Sequence, residues 1–482
     1  MKIINLYIVL IGLILVSCTE ALNQKPWGVA LEDEFYKTQA DAILAIDAAY
    51  TPLSWLQDAF DSNMASLDCS SDDVFKGGGH AGDQSALTEF SLFRITSSNT
   101  IIANRWKNAY QGIFRVNKVL DNIPNIAMDE DLKSRILGEA HFLRAYFYFE
   151  LMVQFGGVVK IEKALKPGEY NLSRSTQAEI EAFIEHDLEI AASLLPKKSE
   201  YNQDKELGRA TKGAAIAYLI KLNAMKQDWA QVVKDCNRLF NLNEYELVSN
   251  YGDIFQPTGE HCKESIFEVN YGENSIAGWG SRNPGSWTAV SFTPRTQNGA
   301  GFCQVTTELA NSYEQGDPRK DLSIYEFVSN DYGTNLYNRK YSCAPYSDYP
   351  WPVNGVSHGG VNTRLVRLAD IYLLYAEAEY HLANEDKARE YVNKVRKRAR
   401  GGNNNVLPDI TETGNSLLTK IYHERRVELA GEGIRFWDLV RTGRAAKVLK
   451  DKGFIEGVSE LRPLPNKDVQ ISNGLLVQNP GY

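Results

Sequence analysis

Two long segments of the chain concentrate aromatic side chains in surroundings that carry almost no charge. Residues 274–307 contain two charged residues, Arg282 and Arg295, and residues 341–363 contain only Asp348. In a chain with 23% charged residues, such segments are neither charged for solubility nor periodic enough for a helical core. Long irregular insertions of this kind are typical places for binding sites. Among their rings, with Tyr271 just before the first segment, are Tyr271, Trp279, Trp287, Phe292, Tyr346, Tyr349 and Trp351.

The neighbours of two tryptophans favour presentation of a ring to a ligand. Trp279 lies between two glycines, and Trp351 lies between two prolines. Glycine lets a ligand approach the backbone closely, and proline stiffens the support of a ring. An aromatic face can stack on the C–H face of a pyranose while nearby polar groups bond its hydroxyls. We therefore expect at least one of Trp279, Trp287 and Trp351 to contact ligand; the alternative is that these rings only anchor the loops.

Acidic residues that might suit hydrolysis occur near the C-terminus, where Glu424, Glu428 and Asp438 lie among arginines. Arg435 and Arg441 are each three residues from Asp438 and can pair with it on one helix face. We interpret these carboxylates as structural ion pairs that fix helix packing. The chain contains no H-E-x-x-H motif, no C-x-x-C pair and no calcium-loop pattern, so no catalytic residue, cofactor or metal ligand is predicted.

Helical hairpins form the predicted scaffold of the chain. Leu368, Ile371, Tyr375 and Ala378 recur at steps of three and four residues, and a second apolar stripe follows Asn384 and ends at residues 401–402. A similar hairpin is predicted over residues 208–240, with a break at residues 227–228, and further helices over residues 32–56, 100–123, 132–155, 175–195 and 421–445. The predicted fold class is all-α (mainly helical), with divergent tetratricopeptide-like hairpins as scaffold and long loop insertions as ligand face.

Three C-terminal motifs carry a resemblance to a known family. RLADIYLLYAEAEY, ERRVELAGEGIRFWDLVRTGRA and LRPLPNKDVQISNGLLVQNPGY follow one another in this order and finish on the last residue. They resemble the signatures of the SusD/RagB family of outer-membrane nutrient-binding lipoproteins of Bacteroidetes-type bacteria. GEAHFLRAYFYFEL and WKNAY, earlier in the chain, are similar to further family blocks. The resemblance therefore covers nearly the whole sequence.

The resemblance implies where ligand contacts lie. In the family they come from the loop before the WKNAY-type helix and from the mid-chain insertion, here residues 241–362. Starch binders of the family place tryptophans before that helix, whereas this chain has Phe90 and Phe93, which argues against starch. Carried over to this chain, the expected ligand-binding residues are Asp73, Phe75, Phe93 and Asn99 in the first loop, and Trp279, Trp287, Arg295, Tyr349 and Trp351 in the insertion.

The first 18 residues have the pattern of a lipoprotein signal peptide. Lys2 precedes a nearly uninterrupted apolar run over residues 3–16, which is too short to span a bilayer. The run leads into Leu-Val-Ser-Cys, which is similar to a bacterial lipobox ending at Cys18. We predict lipidation of Cys18, with residues 19–482 as one domain held to the membrane by the lipid alone. The alternative is an ordinary secretory signal that contains a cysteine.

Five cysteines remain after Cys18, at positions 69, 236, 262, 303 and 343. An odd and scattered set does not indicate a disulfide framework, and the sequence leaves open whether any two of them pair.

Three functions from different classes follow from these observations. The first is a cell-surface, outer-membrane lipoprotein that captures oligosaccharides and passes them to a SusC-like TonB-dependent transporter; the family resemblance alone implies the transporter. The second is a peptide- or protein-binding helical-repeat lipoprotein. The third is a helical glycoside hydrolase, the weakest of the three because no motif places two acids on opposed loops. A net charge of −9 argues against nucleic acid as a partner.

Overall fold

The computed structural model describes residues 34–80, 82–202, 205–271, 286–297, 299–329, 333–341 and 361–482. Its helices are α1 (Gln39–Leu56), α2 (Asn63–Ser66), α3 (Ser85–Ser91), α4 (Thr100–Asn122), α5 (Glu130–Phe155), α6 (Gln177–Leu194), α7 (Lys212–Lys226), α8 (Trp229–Phe240), α9 (Thr288–Phe292), α10 (Thr307–Ser312), α11 (Arg319–Ser323), α12 (Leu368–His381), α13 (Glu385–Ala399), α14 (Gly414–Glu428), α15 (Arg435–Arg441), α16 (Ala445–Leu449) and α17 (Asn466–Ile471). The strands are β1 (Val74–Gly77), β2 (Ser265–Val269), β3 (Phe302–Val305), β4 (Ile324–Ser329), β5 (Gly333–Asn338) and β6 (Thr363–Arg367). The fold is thus mainly helical, as predicted.

Local capping explains where several long helices begin. Thr38 and Thr176 each form a capping box, in which the threonine hydroxyl accepts from the third helical N–H and an acid bonds back to the threonine N–H. The break predicted between α7 and α8 is confirmed, since Gln227 adopts a left-handed φ of 56° and Asp228 caps α8. Asn384 stands at the predicted N-cap of α13, but its side chain bonds Glu379 instead of the helix backbone.

Successive long helices pack side by side, and α5 lies at the centre of the core. The pairs in contact are α1–α4, α4–α5, α5–α6, α6–α7, α7–α8 and α12–α13. Phe142, Tyr146 and Phe147 of α5 are fully buried, as the aromatic spacing on this helix leads one to expect for core packing. Gly112 of α4 allows the close approach, since a Cβ at this position would lie 2.3 Å from the Phe147 ring. The arrangement agrees with stacked helical hairpins.

Residues 241–362, predicted to be irregular loops, contain most of the strands in their described part. Three two-stranded antiparallel sheets pair β1 with β3, β2 with β6 and β4 with β5. In the first sheet Val74 is opposite Val305, Phe75 opposite Gln304 and Gly77 opposite Phe302. The sequence prediction missed these strands because two of the three sheets pair segments far apart in the chain.

Residues 421–445, predicted as one helical segment, are broken between α14 and α15. Gly431 and Gly433 have left-handed φ angles of 72° and 76°. A Cβ at Gly433 would meet the backbone of Asn63 at 2.7 Å, so only glycine fits where this turn packs against α2. The chain therefore turns here to let α15 pack against the α2 region.

Buried ion pairs hold the C-terminal helices together, in agreement with the structural interpretation of their acids. Glu428 is fully buried and accepts from Arg319 at 3.0 Å, from Arg367 at 2.6 Å and from Arg398. Burial opposes ionisation, yet the three guanidinium groups hold the pKa of Glu428 far below its usual range. These carboxylates thus join helices.

The two arginines predicted to pair with Asp438 behave differently. Arg441 donates to the Asp438 carboxylate at 2.8 Å, as predicted. Arg435 instead bonds Asp72 at 2.8 Å, because the turn at Gly433 directs α15 toward the segment before β1. The predicted Arg435–Asp438 contact is therefore wrong.

Candidate ligand-binding cleft

A cleft opens where α3 faces the sheet formed by β1 and β3 and the edge of β5. Its cavity measures about 410 Å³. It combines rings, glycine backbone and amide or hydroxyl groups, which is the mixed lining of sites for small polar ligands. The lining residues are Phe75, Lys76, Gly77, Gly78, His80, Thr88, Ser91, Leu92, Arg295, Gln304, Asn335 and Tyr337.

The alternation of side chains along β1 places the ring of Phe75 in the cleft. In β1 the side chains of Val74 and Lys76 are buried, whereas Phe75 is 42% exposed. Antiparallel pairing sets Phe75 directly opposite Gln304 on β3. The amide of Gln304 donates to the hydroxyl of Tyr337 on β5 at 3.3 Å. The strands β1, β3 and β5 thus place the Phe75 ring beside the polar groups of Gln304 and Tyr337.

The two cations of the cleft are engaged by the protein itself. The ammonium of Lys76 donates to the carbonyls of His80 at 2.7 Å and Asp83 at 2.6 Å, and burial lowers its pKa. Arg295 lies 3.1 Å from the carboxylate of Asp83, which also accepts the N–H of Gly79. These bonds shape the glycine-rich turn after β1. Both side chains therefore already have oxygen partners within the protein.

Comparisons with known proteins extend over both halves of the chain. Residues 325–482 match a family model described as the SusD family, and residues 51–223 match one described as "Starch-binding associating with outer membrane". The solved structure of a laminarin-binding SusD-like protein is 32% identical and superposes with a TM-score of 0.83, covering 93% of this chain and 100% of that chain. The chain belongs to the SusD family.

Further relatives of this SusD-like chain have similar names. Surface glycan-binding protein A from Bacteroides thetaiotaomicron, solved with laminarihexaose, is 25% identical with a TM-score of 0.79, over 92% of this chain and 100% of its own. The SusD-like protein P25 of Formosa agariphila is 27% identical over 97% of each chain. The solved relatives are named as binding proteins, and this SusD-like chain is non-catalytic, as predicted. Within the residues described, no helix is both long and apolar enough to cross a membrane.

The structure brings two of the predicted ligand-binding residues together. Phe75 and Arg295, 220 residues apart in sequence, both line the cleft. Trp279, Tyr349 and Trp351, together with the predicted lipidation site Cys18, lie outside the described residues. Their placement stays a prediction.

Asp73, another predicted ligand-binding residue, does not line the cleft. Its side chain is buried, and one carboxylate oxygen accepts from Arg426 at 2.7 Å. The neighbouring Asp72 pairs with Arg435 in the same way. Asp73 therefore joins the start of β1 to the C-terminal helices. Its role in the described structure is structural.

Phe93 and Asn99 also have structural positions. The half-buried Phe93 ring packs on Phe454 and Phe436, at centroid distances of 5.2 and 6.0 Å. The side-chain oxygen of Asn99 accepts from the N–H groups of Ile101 and Ile102 in α4, and its side-chain amide donates to Glu89. Both residues fix the loop between α3 and α4 and neither lines this cleft, so their contact with a ligand stays a prediction.

Trp287 lies at the start of α9, away from the cleft. Its backbone N–H donates to the carboxylate of Asp58 at 2.6 Å, and its side chain is half-buried. Asp58 also accepts from the hydroxyl of Ser286. The contact ties the insertion to the end of α1. Trp287 is thus not part of the cleft lining.

Sequence reasoning missed Gln304, Asn335 and Tyr337. Each belongs to a strand whose pairing decides that it faces the cleft, and the sequence around them contains no motif. The alternation in residues 333–338, with Leu336 and Tyr337 adjacent, gives no clear strand signal. Their contribution follows from the tertiary structure alone.

A second, larger groove of about 860 Å³ runs beside α4. Trp106, Tyr110 and Phe114 line one side, and Ile471 and Leu476 line the other. Polar side chains also line this groove, among them Ser98, Gln111, Asn466 and Asp468, so it also offers hydrogen-bond partners to a polar ligand.

Proposed function

We propose that this SusD-like chain is a cell-surface lipoprotein that captures an oligosaccharide and delivers it to a SusC-like TonB-dependent transporter of the outer membrane. The observation that supports capture is the cleft, in which the exposed Phe75 ring lies beside Gln304 and Tyr337. A volume of about 410 Å³ suits a segment of oligosaccharide. The family model described as associating with the outer membrane supports the location.

A neutral glucan of the laminarin type is the ligand we propose to test first. Two structural relatives are named for laminarin or laminarihexaose. A neutral glucan also agrees with the engagement of Lys76 and Arg295 by protein oxygens, because an anionic sugar would need an available cation. Phe90 of α3, which precedes α4 where starch binders have tryptophans, is fully buried and offers no stacking face.

Anchoring and delivery rest on the family and on the signal sequence. Lipidation of Cys18 would hold the protein at the membrane, and the family implies the transporter as partner. Affinity purification from membranes of cells that also express a SusC-like transporter tests delivery. Recovery of that transporter supports the partnership, and its absence under mild detergent contradicts it.

A glycan array probed with soluble protein that begins at Thr19 tests capture. We expect binding to one class of neutral polysaccharide. The double variant Trp279→Ala/Trp351→Ala tests the contribution of the insertion loops and is expected to lose most of the signal while remaining folded by circular dichroism. A blank array for the wild type contradicts glycan capture and favours a peptide ligand.

A further inference from the structure

Two cysteines far apart in sequence meet behind the cleft. The sulfur atoms of Cys69 and Cys303 lie 3.7 Å apart, although 234 residues separate them along the chain. Both side chains are buried, with 0% and 2% exposure. Cys69 belongs to a short 3₁₀ helix over residues 68–70, and Cys303 belongs to β3. Sulfur atoms in contact need only a small movement to reach bonding distance.

We propose that Cys69 and Cys303 form a disulfide bond in the exported protein. The bond forms as the two S–H bonds break and one S–S bond is made, releasing two protons and two electrons. The electrons pass to the disulfide of a dithiol–disulfide oxidant, which is reduced to its dithiol. The first cysteine thiolate attacks that oxidant to give a mixed disulfide, and the second thiolate then displaces it.

The location of the pair gives the bond a structural effect. Cys303 stands between Phe302 and Gln304, which pair with Gly77 and Phe75 across the sheet. Cys69 precedes the same strand β1 by a few residues, and Lys452 donates to its carbonyl at 3.2 Å. A Cys69–Cys303 bond therefore fixes both strands of the cleft floor to the helical body.

The burial of the pair decides when the bond can form. Burial raises the pKa of the Cys303 thiol well above its ordinary value, and contact with Cys69 adds to the shift. Thiolate attack is therefore slow once the core has closed. Bond formation belongs to the folding period after export, when both sulfurs are accessible to an oxidant. The inference does not depend on the ligand of the cleft.

Peptide mapping tests the bond. The full-length protein is purified in detergent from a bacterial host whose periplasm contains a protein disulfide oxidant, then unfolded, alkylated with iodoacetamide and digested. We expect a linked peptide containing Cys69 and Cys303, whereas Cys236 and Cys262 become alkylated. Dithiothreitol before alkylation should release the linked peptide. Complete alkylation of Cys69 and Cys303 without reductant overturns the proposal, and so does a bond from either to another cysteine.

Thermal unfolding provides a second and independent readout. A bond that closes so long a loop should raise the melting temperature, and reduction should lower it by several degrees. Cys303→Ser should remove this dependence on reductant. Cys236→Ser, at an equally buried cysteine on α8, should retain it. If the wild type melts at the same temperature with and without reductant, the bond is absent.

Discussion

Single side chains decide how the cleft can hold a ligand. Phe75 is exposed because β1 directs alternate residues to opposite sides, and its ring and Leu92, each 42% exposed, are the large exposed apolar side chains of the lining. Tyr170 is even more exposed, at 64%, but lines the larger groove beside α4. The two residues therefore form a matched pair for testing which cavity binds glycan.

Phe75→Ala should weaken binding of laminarihexaose by roughly tenfold, because stacking of a ring on a sugar contributes about 1–2 kcal/mol. Isothermal titration calorimetry measures the change. Tyr170→Ala should leave the affinity unchanged. Equal losses in both variants, or a loss only in Tyr170→Ala, would move the site to the other groove.

A buried acid provides a residue-scale test of the electrostatics behind the cleft. One carboxylate oxygen of Asp68 accepts the Gly433 N–H at 2.9 Å. Burial raises the pKa of Asp68 to about 8, with this N–H opposing part of the shift. Since the unfolded carboxyl loses its proton near pH 4, the folded state binds more protons between about pH 4 and 8, and stability falls with rising pH in that window.

Asp68→Asn keeps the acceptor for Gly433 and removes the titration. We expect the variant to gain stability over the wild type as pH rises from 5 to 8, and the difference to level off above 8. Urea unfolding at several pH values measures this difference. Parallel stability curves for the two proteins would show that Asp68 ionises normally in the folded state.

At the scale of elements, close packing between α4 and α5 depends on a residue without a side chain. A Cβ at Gly112 would lie 2.3–2.6 Å from carbon atoms of the Phe147 ring, and that ring is fully buried. A Cβ at Gly138, the glycine of α5, would meet Leu194 and Leu195 at the looser distances of 3.0–3.1 Å. Both glycines lie within helices, but a Cβ at Gly112 has less room than a Cβ at Gly138.

Gly112→Ala should lower the free energy of unfolding by about 1–3 kcal/mol, because overpacking exceeds the gain in helix propensity. Gly138→Ala should change the free energy of unfolding by a smaller amount. Whether it lowers or raises stability depends on how far Leu194 and Leu195 can move. Chemical denaturation of both variants measures the difference. A Gly112→Ala protein as stable as the wild type would mean that α4 and α5 separate at little cost.

At the scale of the whole molecule, the predicted lipoprotein signal bears on where the proposed function places the cleft. In the proposed function, the lipid on Cys18 is the membrane anchor. Cys18→Ala should therefore release the protein from the membrane fraction and abolish labelling by a radioactive fatty acid. Cys236→Ser is the control and should label normally. Labelling of Cys18→Ala at the wild-type level would exclude this anchor.

The sequence by itself determined most of the long helices, the break between α7 and α8, and the structural use of Glu428 and Asp438. These features arise from signals within a few residues of each other, namely apolar periodicity, caps and adjacent opposite charges. The family motifs lie in the same helical blocks, so the family could also be identified from them. The expected helix over residues 421–445 failed at Gly431 and Gly433, where packing against α2 decides the turn.

Only the tertiary structure decided which loop residues share a site. The alternation of side chains along β1 directs Phe75 outward. Pairing of β1 with β3 brings Gln304, more than 200 residues away in sequence, opposite it. The same pairing turns Asp73 toward Arg426 and brings Cys69 to Cys303. Such contacts depend on how all the intervening helices pack, and no local sequence pattern encodes that packing. The composition of the loops therefore predicted a binding face, but only the fold shows which residues lie together on it.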